Sequence, residues 1–62
     1  MKLTLAQIAR IAPLASSVKI GGHEFRVDWV GSNSLWYSDP SSDTKVVATF
    51  IALAEEDLSF YI

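Results

Sequence analysis

Val18-Lys19-Ile20-Gly21-Gly22-His23-Glu24-Phe25-Arg26-Val27-Asp28-Trp29-Val30 holds the strongest tertiary signal in this chain. Two stretches rich in β-branched and aromatic residues flank a pair of glycines. A two-residue hairpin turn needs positive φ at its centre, and glycine adopts it without steric cost. The turn also sets the register: Ile20 should face His23, and Val18 should face Phe25. Strict alternation then gives one face to Val18, Ile20, His23, Phe25, Val27 and Trp29. The other face receives Lys19, Glu24, Arg26, Asp28 and Val30. Turn chemistry and alternation agree on this apolar and polar separation.

Toward the C-terminus, Gly31-Ser32-Asn33-Ser34 reads as a turn and Leu35 to Ser38 as a returning third strand. With four residues in the turn, Trp36 lies opposite Trp29 on the core face, while Leu35 and Tyr37 point outward. A turn one residue shorter reverses that parity. Asp39-Pro40-Ser41-Ser42-Asp43 is a loop by composition. Lys45 to Ala54 fits either a helix or a strand buried on both faces. The strand is favoured, because Val46, Val47, Thr49, Phe50 and Ile51 suit a pleated surface. A helix would also place Lys45 at its N-terminus and Glu55-Glu56-Asp57 at its C-terminus, against the helix dipole. Glu55-Glu56-Asp57 then forms a charged turn, and Leu58 to Ile62 the last strand.

Toward the N-terminus, Thr4-Leu5-Ala6-Gln7 is a capping box, with Leu3 and Ile8 placed as its hydrophobic staple. Leu5, Ile8, Ala12 and Ala15 recur at helical spacing, which predicts a helix over Leu5 to Ser16. Pro13 must kink it or stop it at Ala12, since its ring clashes with the carbonyl four residues back. The expected class is α+β: one N-terminal amphipathic helix packed on a four- to five-stranded antiparallel sheet. With 62 residues the chain is a single small domain.

The totals narrow the function. Cysteine is absent, so neither disulfides nor thiolate metal sites contribute. The longest apolar run, Val46 to Ala54, has nine residues with Thr49 included, well short of the roughly 18 that suggest a membrane span. No membrane partner and a cytoplasmic location are therefore expected. The apolar ending Phe60-Tyr61-Ile62 is what a complete small protein would show. Charge is uneven: residues 1–31 sum to +2 and residues 32–62 to −4.

His23 is the only histidine, and none of the eight serines lies in a nucleophile-elbow pattern, so His23 is expected to be structural. Glu55, Glu56 and Asp57 are contiguous, with nothing to drive their pKa values apart for acid–base work. The 39–43 loop lacks the glycine and closing glutamate of a calcium loop. An enzyme, a cofactor and a metal are thus not expected. Lys19 and Arg26 share the outer face, where Tyr37 can join them, but Glu24 and Asp28 interleave and argue against direct nucleic-acid binding. Seven aromatics exceed what one helix covers, and leftover apolar surface rimmed by charge marks a binding patch.

The opening Leu3-Thr4-Leu5-Ala6-Gln7-Ile8-Ala9-Arg10-Ile11-Ala12-Pro13 looks like the start of some phage lysis glycosidases, over a fifth of the chain and without a place for their catalytic glutamates. In size, acidity, lack of cysteine and one-helix-plus-sheet build, the chain is similar to small phage-encoded inhibitors of bacterial defence, the anti-CRISPR proteins among them. That resemblance implies a non-enzymatic protein that binds a protein or nucleoprotein complex and blocks it stoichiometrically. The expected partner-binding residues are Trp36, Tyr37, Asp39, Asp43, Glu55, Glu56 and Asp57, as an acidic and aromatic face. A small nucleic-acid-binding module and a structural subunit that homodimerises are the alternatives, the chain being a monomer or a weak homodimer.

Overall fold

The computed structural model describes residues 1–62. A first helix, α1 (Leu5–Ile11), leads into a tight 3-10 turn over Ala12–Leu14. Five strands follow: β1 (Ser17–Ile20), β2 (His23–Val30), β3 (Ser34–Ser38), β4 (Lys45–Thr49) and β5 (Leu58–Tyr61). A four-residue helix, α2 (Phe50–Leu53), sits between β4 and β5. The sheet is antiparallel throughout, in the order β4-β3-β2-β1-β5. This is the α+β arrangement expected from the sequence, with five strands.

The capping box forms as expected. The Gln7 amide donates to Thr4 Oγ1 at 3.2 Å, and the Thr4 amide donates to Gln7 Oε1 at 2.9 Å. Pro13 ends the α-helix early: α1 stops at Ile11, and the proline sits in the 3-10 turn, so the helix is shorter than Leu5 to Ser16. Ile8 and Ala12 carry its buried side, while Leu5 is half exposed.

The hairpin around Gly21-Gly22 has the register read from its turn, with Ile20 opposite His23 and Val18 opposite Phe25. Both glycines have positive φ, 57° and 87°. β1 joins the last strand as well, so Val18 also faces Phe60.

Lys45 to Ala54 is not one strand. β4 ends at Thr49, whose hydroxyl accepts from the Ala52 amide at 3.2 Å and starts α2. The composition changes at that point, from Val46, Val47 and Thr49 to Ile51, Ala52, Leu53 and Ala54. A single helical turn carries little macrodipole, so the unfavourable charges around it do not forbid it. α2 folds back and buries Phe50 and Leu53. The core is Leu3, Ile8, Ala12, Val18, Leu35, Phe50, Leu53 and Leu58, all gathered between the helices and one face of the sheet. No helix is long and apolar enough to cross a membrane.

Candidate functional site

The face of the sheet away from the helices is built by one irregularity. β2 pairs regularly with β3 as far as Val27 opposite Tyr37; the register then shifts before Trp29 pairs with Trp36 and Val30 with Leu35. Asp28 is the extra residue of this β-bulge. A bulge residue exchanges the faces of everything beyond it. Val30 and Leu35 therefore turn toward the helices, and Trp29 and Trp36 turn away. The expectation that Trp29 and Trp36 lie on the core face, with Val30, Leu35 and Tyr37 outward, is corrected here. The pairing of Trp29 with Trp36 holds, and the face is reversed.

The two indoles meet edge to face, with ring centroids 4.7 Å apart and planes at 71°. Trp29 is 59% exposed and Trp36 37%. Val47 of β4 lies directly opposite Trp36 and extends the apolar strip. Gly31 makes room for the pair: a Cβ there would come within 3.1 Å of Trp29 Cζ3 and 3.4 Å of Trp36 Cζ3. Its lack of a side chain serves the close approach of two rings.

A charged cluster borders the strip. Arg26 Nε donates to Asp28 Oδ1 at 3.1 Å, and Arg26 Nη2 donates to Ser38 Oγ at 3.1 Å. The Ser38 hydroxyl holds the Asp28 carboxyl below the usual carboxylate range; desolvation opposes this, and Arg26 and Lys45 reinforce it. Lys19 and Tyr61 lie further along the same face, on β1 and β5. Bare apolar surface rimmed by charge is the usual anatomy of a docking site.

Tyr37 is on the other face. Its ring packs on Phe25 at 4.8 Å, and Phe25 on His23 at 4.6 Å. Burial, with the nearby Glu56 charge, raises the Tyr37 hydroxyl above its ordinary value. Tyr37 therefore cannot share a surface with Lys19 and Arg26, and Trp36 and Tyr37 cannot meet one flat partner together.

The acidic residues collect at one end of the sheet. Asp39 accepts from the Ser41 hydroxyl at 2.7 Å, from the Ser41 amide at 2.9 Å and pairs with His23 Nε2 at 3.2 Å. These contacts, Ser41 first, lower its pKa. Asp43 stands in the same loop in the left-handed region, at φ 59°. The Gly21 amide donates to the Asp57 carbonyl at 2.9 Å, which brings the Glu55-Glu56-Asp57 turn to that end. The Asp57 carboxylate pairs with the Met1 ammonium, and Glu55 and Glu56 are exposed. Asp39, Asp43, Glu55, Glu56 and Asp57 thus share an end with Tyr37, while Trp36 belongs to the bare face.

Trp29 and Val47 are members of the aromatic surface that sequence alternation alone does not assign. The one signal for it in the sequence is the doublet Trp29-Val30, two large apolar residues in succession where alternation allows one. No group of three or more His, Asp or Glu side chains converges to hold a metal ion. No protein-family model matches the chain, and neither a curated protein nor a solved structure matches it.

Proposed function

We propose that the chain is a non-enzymatic protein-interaction module that docks on a larger complex through its bare sheet face and inhibits it by occupancy. One observation carries this reading: both tryptophans of the chain stand exposed side by side, next to Val47, on the face that no helix covers. Tryptophan and arginine are the common anchors of binding energy at interfaces. The partner that fits has an apolar ridge for the indoles and carboxylates for Arg26 and Lys45. The build shared with small phage-encoded defence inhibitors supports an inhibitory role, with a protein or nucleoprotein complex as target.

Affinity capture from a bacterial lysate tests the reading, using wild type, Trp29→Ala, Trp36→Ala and the charge reversal Glu55→Lys/Glu56→Lys as baits. A specific target should be lost with either tryptophan variant and retained by the charge reversal. Retention by both tryptophan variants would overturn the assignment of this face. Loss with the charge reversal alone would move the site to the acidic end.

A second reading is favoured by one further observation. Trp29, Trp36 and Tyr61 share the bare face with Lys19, Arg26 and Lys45. Aromatics among cations form the platforms on which single-stranded nucleic acids stack. Glu24 and Asp28 on the same face oppose it. If three cations each neutralise a phosphate, affinity for a single strand should fall with salt at a log–log slope of about −2.

A further inference from the structure

The sheet has two edges, and they differ. On β5 the amide groups of Leu58 and Phe60 face outward, because Gly21 bonds to Asp57 and the ladder repeats every second residue. The Leu58 amide is taken there: it donates to the Met1 carbonyl at 2.9 Å. The N-terminal segment therefore lies across that edge.

On β4 the ladder is framed by two bonds, from the Asp39 amide to the Thr44 carbonyl at 3.2 Å and from the Phe50 amide to the Asn33 carbonyl at 2.9 Å. Between them Val46 pairs with Tyr37 and Ala48 with Leu35. The main-chain groups of Lys45 and Val47 and the amide of Thr49 consequently point away from the sheet, with no further strand alongside. The strand carries no bulge and no proline, and its two adjacent valines are 38% and 54% exposed. An uncovered edge with apolar side chains on both faces is a template for another strand.

We propose that the β4 edge pairs with the β4 edge of a second copy of this chain, antiparallel about a two-fold axis at Val47. The register is self-complementary. Val47 meets Val47 of the second copy, and Lys45 meets Thr49, so the two Val47 residues exchange both hydrogen bonds and the Thr49 amide donates to the Lys45 carbonyl, while the Thr49 carbonyl serves the start of α2. Val46 meets Ala48 on the helix side. No charge opposes its like, since Lys45 is the only charged residue of the strand. Axes elsewhere along β4 leave part of the strand unpaired. The symmetry is isologous and closes at two copies. The product is a continuous ten-stranded sheet, twice the five strands of one chain, with both Trp29–Trp36 strips on the same side. The inference is independent of the docking reading above and survives its failure.

A single-strand seam falls short of a standard interface of about 1,600 Å², so the dimer should dissociate on dilution. Sedimentation equilibrium of the intact protein from about 10 μM to about 1 mM, the weak end of association, should show the mass rising from 6.8 kDa toward twice that value. Val47→Pro removes only an outward N–H and spares the β3 ladder; Val47→Lys opposes two like charges. Each should weaken association by about tenfold or more, while Ile62→Lys, away from the seam, should not. The chain has no cysteine, so Val47→Cys should oxidise to a disulfide dimer faster than Ile62→Cys, because the proposed pairing brings the two Cα atoms to about 5.5 Å. A chain that stays at 6.8 kDa at every concentration, or association that Val47→Pro and Val47→Lys leave intact, overturns the proposal.

Discussion

Along β3, Leu35 is fully buried and the next residue, Trp36, is 37% exposed. The contrast runs across the whole sheet. On the helix side Val18, Leu35 and Leu58 are sealed beneath Ile8, Ala12, Phe50 and Leu53. On the other side Trp29, Trp36, Val47 and Tyr61 face solvent. The same strands build both faces, and a chain of 62 residues has helix enough for only one. The covered face thus holds the molecule together, and the large side chains of the bare face add little to that task. Their cost in exposed apolar surface is the reason to assign them to binding.

The widest difference between the faces should appear at adjacent residues. Leu35→Ala opens a cavity in the covered face and should cost about 3 kcal/mol, read from urea unfolding midpoints. Trp36→Ala should cost about 1 kcal/mol, chiefly the edge-to-face contact with Trp29. A double-mutant cycle with Trp29→Ala should return most of that as coupling. Equal losses at Leu35 and Trp36 would erase the distinction between the faces.

Thr4→Ala tests how the cover is attached. It removes one half of the capping box and should lower stability by about 1 kcal/mol without altering the bare face. Proton exchange at the Gln7 amide should rise in step.

The smallest effects are those of pH. Asp28 and Asp39 have depressed pKa values in the folded chain. Their stabilisation is complete above the ordinary aspartate value of about 3.9 and is lost as pH falls through the depressed values. Tyr37 has a raised value; stability should decline as pH rises past the ordinary tyrosine value of about 10. The acid limb should therefore shrink in Asp28→Asn, and the alkaline limb in Tyr37→Phe. Melting curves across pH check both.

Much of the covered face was legible because its signals are local. Gly21-Gly22 set the register of β1 and β2, Thr4 and Gln7 set the start of α1, and Pro13 limited its length. The bare face was harder to read because it depends on Asp28. A bulge carries no required residue type, and strict alternation through Val27-Asp28-Trp29-Val30 puts both tryptophans on the wrong side. The helical turn at Phe50 was hidden for a related reason: Phe50 and Ile51 suit strands, and Thr49 acts as a cap only once the chain has turned. The gathering of Asp39, Asp43, Glu55, Glu56 and Asp57 at one end depends on how the loops adjoin, which spacing along the chain does not specify.

Both tryptophans lie on the bare face and the chain has no others, so tryptophan fluorescence, excited selectively over that of Tyr37 and Tyr61, reports on that face alone. Acrylamide quenching of the folded protein at low micromolar concentration should be efficient, with emission near that of solvated indole and only a modest rise on unfolding in urea. Blue-shifted emission that acrylamide cannot reach until the protein unfolds would place the indoles in the core and contradict the account.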